Sequence, residues 1–299
     1  MLAAEIGVNR KRAELPIPGP RDRTSAMRER PWRAKRRVEH KRGARRGTGF
    51  GRARERRERR DEDDSVILYG WHTVTAALAN PARRIRKILV TENALRRLVD
   101  EAIALPIAPD VVRPDAIAAR LSPDAVHQGL LLEADPLPSP DLTDLNTTGI
   151  VLVLDQITDP HNVGAILRTA AAFAVAAVVT TARHSPEATG VLAKSASGAL
   201  ELVPIVTVQN LARAILEMRE RGFCAVGLDS DATDDLAATP FAAPLALVLG
   251  AEGKGLRQGT RAVCTSLARL DLPGAIKSLN VSNAAALALY VASRRLRES

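Results

Sequence analysis

A chain of 299 residues with 46% apolar content can bury two cores, and with only 3% aromatics those cores must be built from Ala, Val, Leu and Ile. The net charge of +9 is uneven: residues 1–64 hold 21 Lys/Arg against 11 Asp/Glu, and the remainder holds 22 against 23, so the basicity lies wholly in the first 64 residues. Cys224 and Cys264, far apart and outside any C-x-x-C, argue against a disulfide framework and a zinc site; no apolar run approaches the ~18 residues of a membrane span; and the N-terminus lacks the apolar core of a secretory signal and is too acidic for a mitochondrial presequence.

Residues 1–65 read as a disordered basic extension, with prolines and glycines among charge runs and nascent helix at 52–60. Such a segment attracts polyanions through phosphate contacts, or serves only as a solvated extension. Residues 66–135 read as a small α/β domain. Ile67 to Gly70 leads into a helix through Val74 and Leu78, Ile85 to Val90 is a strand, and Leu95 to Ala104 is a helix by apolar spacing. A short strand near Val111, a helix over 114–120 and a strand over Gly129 to Glu133 complete it. Residues 136–148, with Pro136, Pro138 and Pro140, read as a linker.

Residues 149–299 form the second domain. Ile150 to Leu154 is a continuous apolar run, as in a strand buried on both faces, and similar runs follow at 175–180, 202–206, 223–228, 245–249 and 267–272. Helical segments at 162–173 and 210–221 alternate with them, which predicts a mostly parallel sheet covered on both faces.

Three constellations follow strands in this domain. After Asp155, a turn with Asp159-Pro160 precedes Asn162, placed as a helix N-cap, then Gly164, which permits close backbone approach, and Arg168 among small and apolar neighbours. By spacing alone Arg168 fits either a cleft-facing charge or an arginine snorkelling to solvent. After Leu249, Gly250, Gly253 and Gly255 surround Glu252 and Lys254; glycines let backbone N–H groups approach a ligand, though a plain strand-to-helix turn reads the same way. Leu270 and Leu272 end a strand, and Ser278, Leu279 and Asn280 precede a helix capped by Ser282, with Leu287, Val291 and Leu296 toward the core; here too, Ser278 and Asn280 fit simple capping and turn roles. All three lie where open α/β sheets bind ligands, at the carboxyl ends of strands.

In order and spacing, Leu154–Ala170, Leu249–Leu256 and Leu279–Ser282 resemble the three motifs of the SpoU (TrmH-type) RNA 2′-O-ribose methyltransferases. Lys194–Glu201 resembles a further catalytic-domain segment, and Tyr69–Val74 and Val126–Leu130 resemble the opening and closing segments of the family's substrate-binding domain. The resemblance implies an α/β, SPOUT-like fold: a parallel sheet whose C-terminal part is threaded as a trefoil knot, which general topology rules disfavour, preceded by a small RNA-binding domain. It implies S-adenosyl-L-methionine as methyl donor, held at Leu249, Gly250, Gly255, Leu270 and Leu279, with no metal. It further implies catalytic roles for Arg168, Asn162, Glu252, Ser278 and Asn280, a homodimer with its active site at the subunit interface, a cytoplasmic location, and a guanosine of 23S rRNA as substrate. A tRNA ribose methyltransferase of the same fold and a non-catalytic RNA-binding or ribosome-assembly factor are the alternatives. Two positions depart from the family pattern: Ala174, where Gly is usual, and Asp271, where Pro is common and a carboxylate would come near the cofactor loop.

Overall fold

The computed structural model describes residues 65–183 and 190–298. The basic extension and its nascent helix lie outside them. The first sheet has four strands, β1 (Val66–Tyr69), β2 (Ile85–Val90), β3 (Asp110–Val111) and β4 (Leu130–Ala134), in the order β1-β4-β2-β3. β4 runs antiparallel to both neighbours, and β3 is parallel to β2. Helices α1 (Trp71–Ala79), α2 (Glu92–Asp100) and α3 (Pro114–Ala118) connect them.

α2 begins and ends earlier than apolar spacing suggests. The Thr91 side chain accepts from the Ala94 amide and so starts the helix ahead of its first apolar position. Leu98 is fully buried, whereas Val99 faces solvent.

The second sheet is wholly parallel, in the order β10-β8-β9-β5-β6-β7. Its strands are β5 (Ile150–Asp155), β6 (Ala177–Thr181), β7 (Ile205–Val208), β8 (Cys224–Leu228), β9 (Leu245–Gly250) and β10 (Ser266–Ala268). Its helices are α4 (Pro160–Ala172), α5 (Gly190–Ala196), α6 (Leu211–Glu220), α7 (Gln258–Val263) and α8 (Val281–Glu298). Every residue of β5 is buried, and the side chains alternate between two cores. Leu152 and Leu154 join Ile166 and Leu167 of α4, Ala288 and Leu289 of α8, and the core of the first sheet. Val151 and Val153 face Ile215 and Met218 of α6. Full burial of a Leu or Ile side chain contributes about 1.5–3 kcal/mol, so the apolar run of β5 anchors both layers.

Residues 136–148 are docked through their middle, from Ser139 to Leu145. Ser139 Oγ donates to the Ile205 carbonyl (3.0 Å) and accepts from the Thr207 amide (2.9 Å) on edge strand β7. Leu142 and Leu145 are buried beside α6, and the Arg221 guanidinium binds the carbonyls of Leu142, Thr143 and Leu145.

The first sheet is clasped to the second by a buried cluster. Arg83 donates to both carboxylate oxygens of Glu201 (Nε 3.2 Å, Nη2 2.5 Å) and to the Asp135 carbonyl (2.8 Å), while Asn80 Nδ2 donates to Glu201 at 2.7 Å. Both charged side chains are nearly inaccessible, at 4% and 3% exposure.

Four further local expectations are corrected. Helix α4 starts at Pro160 and is capped by Asp159, whose side chain accepts from the His161 amide; Asn162 is therefore inside the first turn, not at the cap. Helix α8 starts at Val281, and it is Asn280, not Ser282, whose side chain accepts from the Ser282 amide (2.9 Å) and hydroxyl (2.5 Å). Strand β10 stops at Ala268, because Arg269 turns away to bridge Asp235 and donate its amide to Asp234, and Leu270 and Leu272 thereby leave the sheet. On α8, small residues (Ala285, Ala288, Ala292) with Leu289 make the buried face, and Leu287 is exposed rather than in the core.

Candidate active site

The loops after β5, β9 and β10 meet at the carboxyl ends of the parallel strands. Strands β5 and β9 end in register, Asp155 opposite Gly250. The loop after β9 folds straight back. Gly253 and Gly255 adopt left-handed φ angles of +71° and +63°, and the Gly255 amide returns to the Ala251 carbonyl at 2.8 Å. A Cβ on Gly250 would lie 2.2 Å from the Gly255 carbonyl carbon, so this position admits no side chain.

Two hydrogen bonds tie the motifs together. Asn280 Nδ2 donates to Asn162 Oδ1 at 3.0 Å, joining the third motif to the first. Glu252 Oε1 accepts from the Val281 amide at 3.1 Å, placing a carboxylate on the free N–H groups at the start of α8. Asn280 Oδ1 caps the same helix, as described above. The expected glycine contact also forms: a Cβ on Gly164 would sit 2.4 Å from Ser195 Cβ, so α4 and α5 touch backbone to side chain there.

Two cavities flank this junction. One, of about 470 Å³, is lined by Leu249, Gly250, Gly255, Leu270, Ser278 and Leu279, together with Leu272, Ala284 and the polar Asp229-Ser230-Asp231 at the end of β8. The other, of about 480 Å³, is lined by Asn162, Gln156, Thr158 and Asp159. Ala251, Glu252, Lys254 and Val281 border both and form the wall between them. Asp271 is exposed, lies 4.0 Å from Arg269 Nε, and is not part of either lining, so its carboxylate stays out of the loop cavity. A larger apolar cavity of about 530 Å³ lies at the junction of the two sheets, but its lining contains none of the three motifs.

Arg168 does not join this group. It is exposed, lines neither cavity, and its side chain makes no hydrogen bond or ion pair among the described residues. Six residues beyond Asn162, it lies about 120° around the helix from it.

In the sequence Asp155 marks only the end of a strand and carries no role. Its carboxylate is fully buried and takes two bonds from Arg257, from the backbone amide to Oδ2 (3.0 Å) and from Nε to Oδ1 (2.6 Å). The pair pins the loop after β9 to the end of β5. An acid closing an otherwise apolar buried strand was the available signal, since a buried charge must be paired. Gln156, next along, holds φ +60°, a conformation that non-glycine residues adopt only under constraint.

Cys264 lines neither cavity. Burial pushes its thiol up to about 11, with Asp155 adding to the shift and Arg219 opposing it, so it is no nucleophile at neutral pH. Among the described residues no group of three His, Cys, Asp or Glu side chains is placed to hold a metal ion, and no helix is long and apolar enough to cross a membrane.

An open parallel α/β sheet, with ligand cavities at the carboxyl ends of its strands and a glycine-built loop crossing them, defines a protein of the small-ligand-binding α/β class. Comparison with known proteins narrows the class. Residues 149–290 match the SpoU rRNA methylase family, and residues 67–140 match the RNA 2′-O ribose methyltransferase substrate-binding family. A 23S rRNA (guanosine-2′-O-)-methyltransferase RlmB from Ralstonia nicotianae is 39% identical over 239 residues, covering 77% of this chain and 96% of the relative. A solved structure of a TrmH-family RNA methyltransferase, described as putative, from Porphyromonas gingivalis is 28% identical, with a TM-score of 0.66 over 80% of this chain and 93% of that one. The fold is also that of the SpoU methyltransferase AviRb from Streptomyces viridochromogenes, solved with AdoMet (22% identity, TM-score 0.68, 81% and 94% coverage). The chain belongs to the SpoU family of RNA 2′-O-ribose methyltransferases.

Proposed function

We propose that this protein transfers a methyl group from S-adenosylmethionine to the ribose 2′-hydroxyl of a guanosine in 23S rRNA. The observation that carries the reading is the three-motif junction, Asn162–Asn280 and Glu252–Val281, standing between two cavities. The 23S rRNA assignment rests on the curated relative named above. We assign residues 66–135 as the RNA-binding domain, 136–148 as the connecting segment and 149–299 as the catalytic domain.

The loop cavity fits the cofactor. Leu249, Leu270, Leu272 and Leu279 offer apolar surface for a purine, Gly250 and Gly255 leave backbone groups accessible, and Ser278 and Asp231 supply polar atoms for a ribose and a cationic amino-acid end. When bound there, the cofactor supplies a methyl group activated on a sulfonium. In the neighbouring cavity, Asn162 and Glu252 orient the ribose, with Asn280 fixing Asn162 and Ser278 facing the cofactor side. Positioning of this kind contributes through alignment rather than new chemistry.

Arg168 acts as an electrostatic group for the developing alkoxide. A guanidinium keeps its proton at any physiological pH, which disfavours it as the base. Its exposure on α4, turned away from Asn162, supports delivery to the active site of a partner subunit. Exposed His161, Arg168 and Ala172 on α4, and exposed Leu287, Tyr290 and Arg294 on α8, offer a face for that homodimer. The C-terminal segment is threaded as a trefoil knot. The strand order β10-β8-β9-β5, with Arg257 pinned to Asp155 and α8 lying against α4, supports this threading. We place the enzyme in the cytoplasm, and the basic residues 1–64 add affinity for its polyanionic substrate.

Methyl transfer from labelled cofactor to 23S rRNA by the full chain tests the reading. Arg168→Ala should lose transfer by about 100-fold or more while binding the cofactor normally by calorimetry. Mixing inactive Arg168→Ala and Asn162→Ala subunits should restore activity, because one site of the mixed dimer is then complete. Near-normal turnover of Arg168→Ala removes it from the mechanism, and no rescue on mixing rules out delivery between subunits.

A further inference from the structure

The two signatures of the smaller domain, Tyr69–Val74 and Val126–Leu130, meet at one place. The Trp71 amide donates to Gln128 Oε1 at 2.9 Å. Gly129, at φ +79°, presses the turn onto the start of α2: a Cβ there would lie 2.3 Å from Thr91 Oγ1. Gln128 is held at φ +53°, a left-handed conformation that a side chain adopts only when its surroundings fix it. His127 Nδ1 accepts the Gly129 amide at 3.0 Å, which makes Nε2 the protonated nitrogen of the neutral ring. Above them, the Arg97 guanidinium stacks on the Trp71 ring, 3.7 Å from its centroid. These groups and Asn93 border a cavity of about 320 Å³.

The chemistry of this cavity is specific. Its stacking surface is the flat outer face of an exposed guanidinium, backed by a buried indole. Arg97 Nε is ion-paired with Glu101 at 2.8 Å, so its charge is already partly balanced and is poorly suited to a phosphate. The imidazole and the amides of Asn93 and Gln128 supply donors and acceptors around the rim. A planar, uncharged heterocycle satisfies all of these together, and unstacked RNA bases are recognised by stacking on arginine planes with hydrogen bonds along their edges.

We propose that the Trp71–Arg97–His127–Gln128 cavity holds one unstacked base of the RNA substrate. The assignment rests on the RNA-methyltransferase reading and adds to it a second anchoring point, remote from methyl transfer. The anchor is tied to the catalytic domain. Gln128 Oε1 also takes a hydrogen bond from Lys194 Nζ at 3.3 Å, and the next residue along α5, Ser195, abuts Gly164 of the helix that carries Asn162.

The test compares binding of two labelled probes to the full chain by fluorescence anisotropy: a short oligouridylate, and an abasic ribose-phosphate oligomer of the same length. The wild type should prefer the oligouridylate by about ten-fold or more, the range expected of base stacking. Arg97→Ala and Arg97→Lys should both erase most of that preference, and Arg97→Lys should leave abasic binding unchanged, because lysine keeps the charge but lacks the plane. His127→Ala should reduce it. Calorimetry with the cofactor checks that each variant is folded. A wild-type preference that survives in Arg97→Lys overturns the proposal, as does equal wild-type binding of the two probes. Neither result touches the catalytic reading, whose failure would appear instead as absent methyl transfer by a wild type that still prefers the oligouridylate.

Discussion

Replacing Arg83 with methionine should cost about 3–5 kcal/mol of stability, the range for stranding one partner of a buried ion pair. Glu201 is 3% exposed. Without Arg83 its carboxylate loses both guanidinium bonds and keeps only the Asn80 amide at 2.7 Å, while the Asp135 carbonyl loses its donor. Glu201→Leu should cost a similar amount by stranding the guanidinium. The double variant Arg83→Met/Glu201→Leu should cost about 2 kcal/mol less than the sum, because neither charge is then left alone. Urea denaturation of the full chain, followed by circular dichroism, measures all three. Arg96→Ala serves as the control: its pair with Glu92 is 68% and 76% exposed, and pairs of that kind contribute about 0–1 kcal/mol. If Arg83→Met falls within about 1 kcal/mol of wild type, or the two single costs simply add, the cluster does not clasp the two sheets in solution.

Ala174→Gly should stabilise the protein by about 1 kcal/mol, seen as a raised denaturation midpoint, because Ala174 sits at φ +52° just past α4 in a place that favours glycine; a lowered midpoint would contradict this. Gly250→Ala should abolish cofactor binding by calorimetry while the sheet stays folded, since its Cβ would strike the Gly255 backbone; unchanged affinity would separate this loop from the cofactor. Deleting residues 1–64 should flatten the slope of log RNA affinity against log salt without changing the methylated nucleotide, since phosphate contacts position but do not specify; a full-length slope in the truncated chain would make the segment a bystander.

The parallel sheet was legible because a buried strand writes itself as an unbroken apolar run, as Ile150–Leu154 does. Boundaries were less so. Asp159-Pro160 is itself a helix-start signal, and it competed with Asn162 for the cap; the polar side chain freed by that shift is the one that reaches Asn280. Leu270 and Leu272 looked like strand residues because apolar alternation does not distinguish a sheet from a cavity wall. Leu287 looked like core by spacing, but on α8 the alanines take the inside. The Arg83–Glu201 clasp was invisible, and Asp155 announced only that it needed a partner, not that the partner was Arg257, since each pair joins residues about a hundred positions apart and no local pattern names a long-range partner. The five residues expected to hold the cofactor came from the family resemblance, and all five line one cavity. The resemblance named Arg168 as well, but its position six residues past Asn162 on one helix already separated their directions.

The central claim is methylation of a guanosine ribose in 23S rRNA. Its most direct test is mass spectrometry of ribonucleosides from purified 23S rRNA and tRNA, taken from cells with and without the protein. One 2′-O-methylguanosine should vanish from 23S rRNA in its absence, return with the wild-type chain and stay missing with Arg168→Ala. Loss from tRNA alone would move the substrate to tRNA, and unchanged ribose methylation in both RNAs would contradict an enzymatic role.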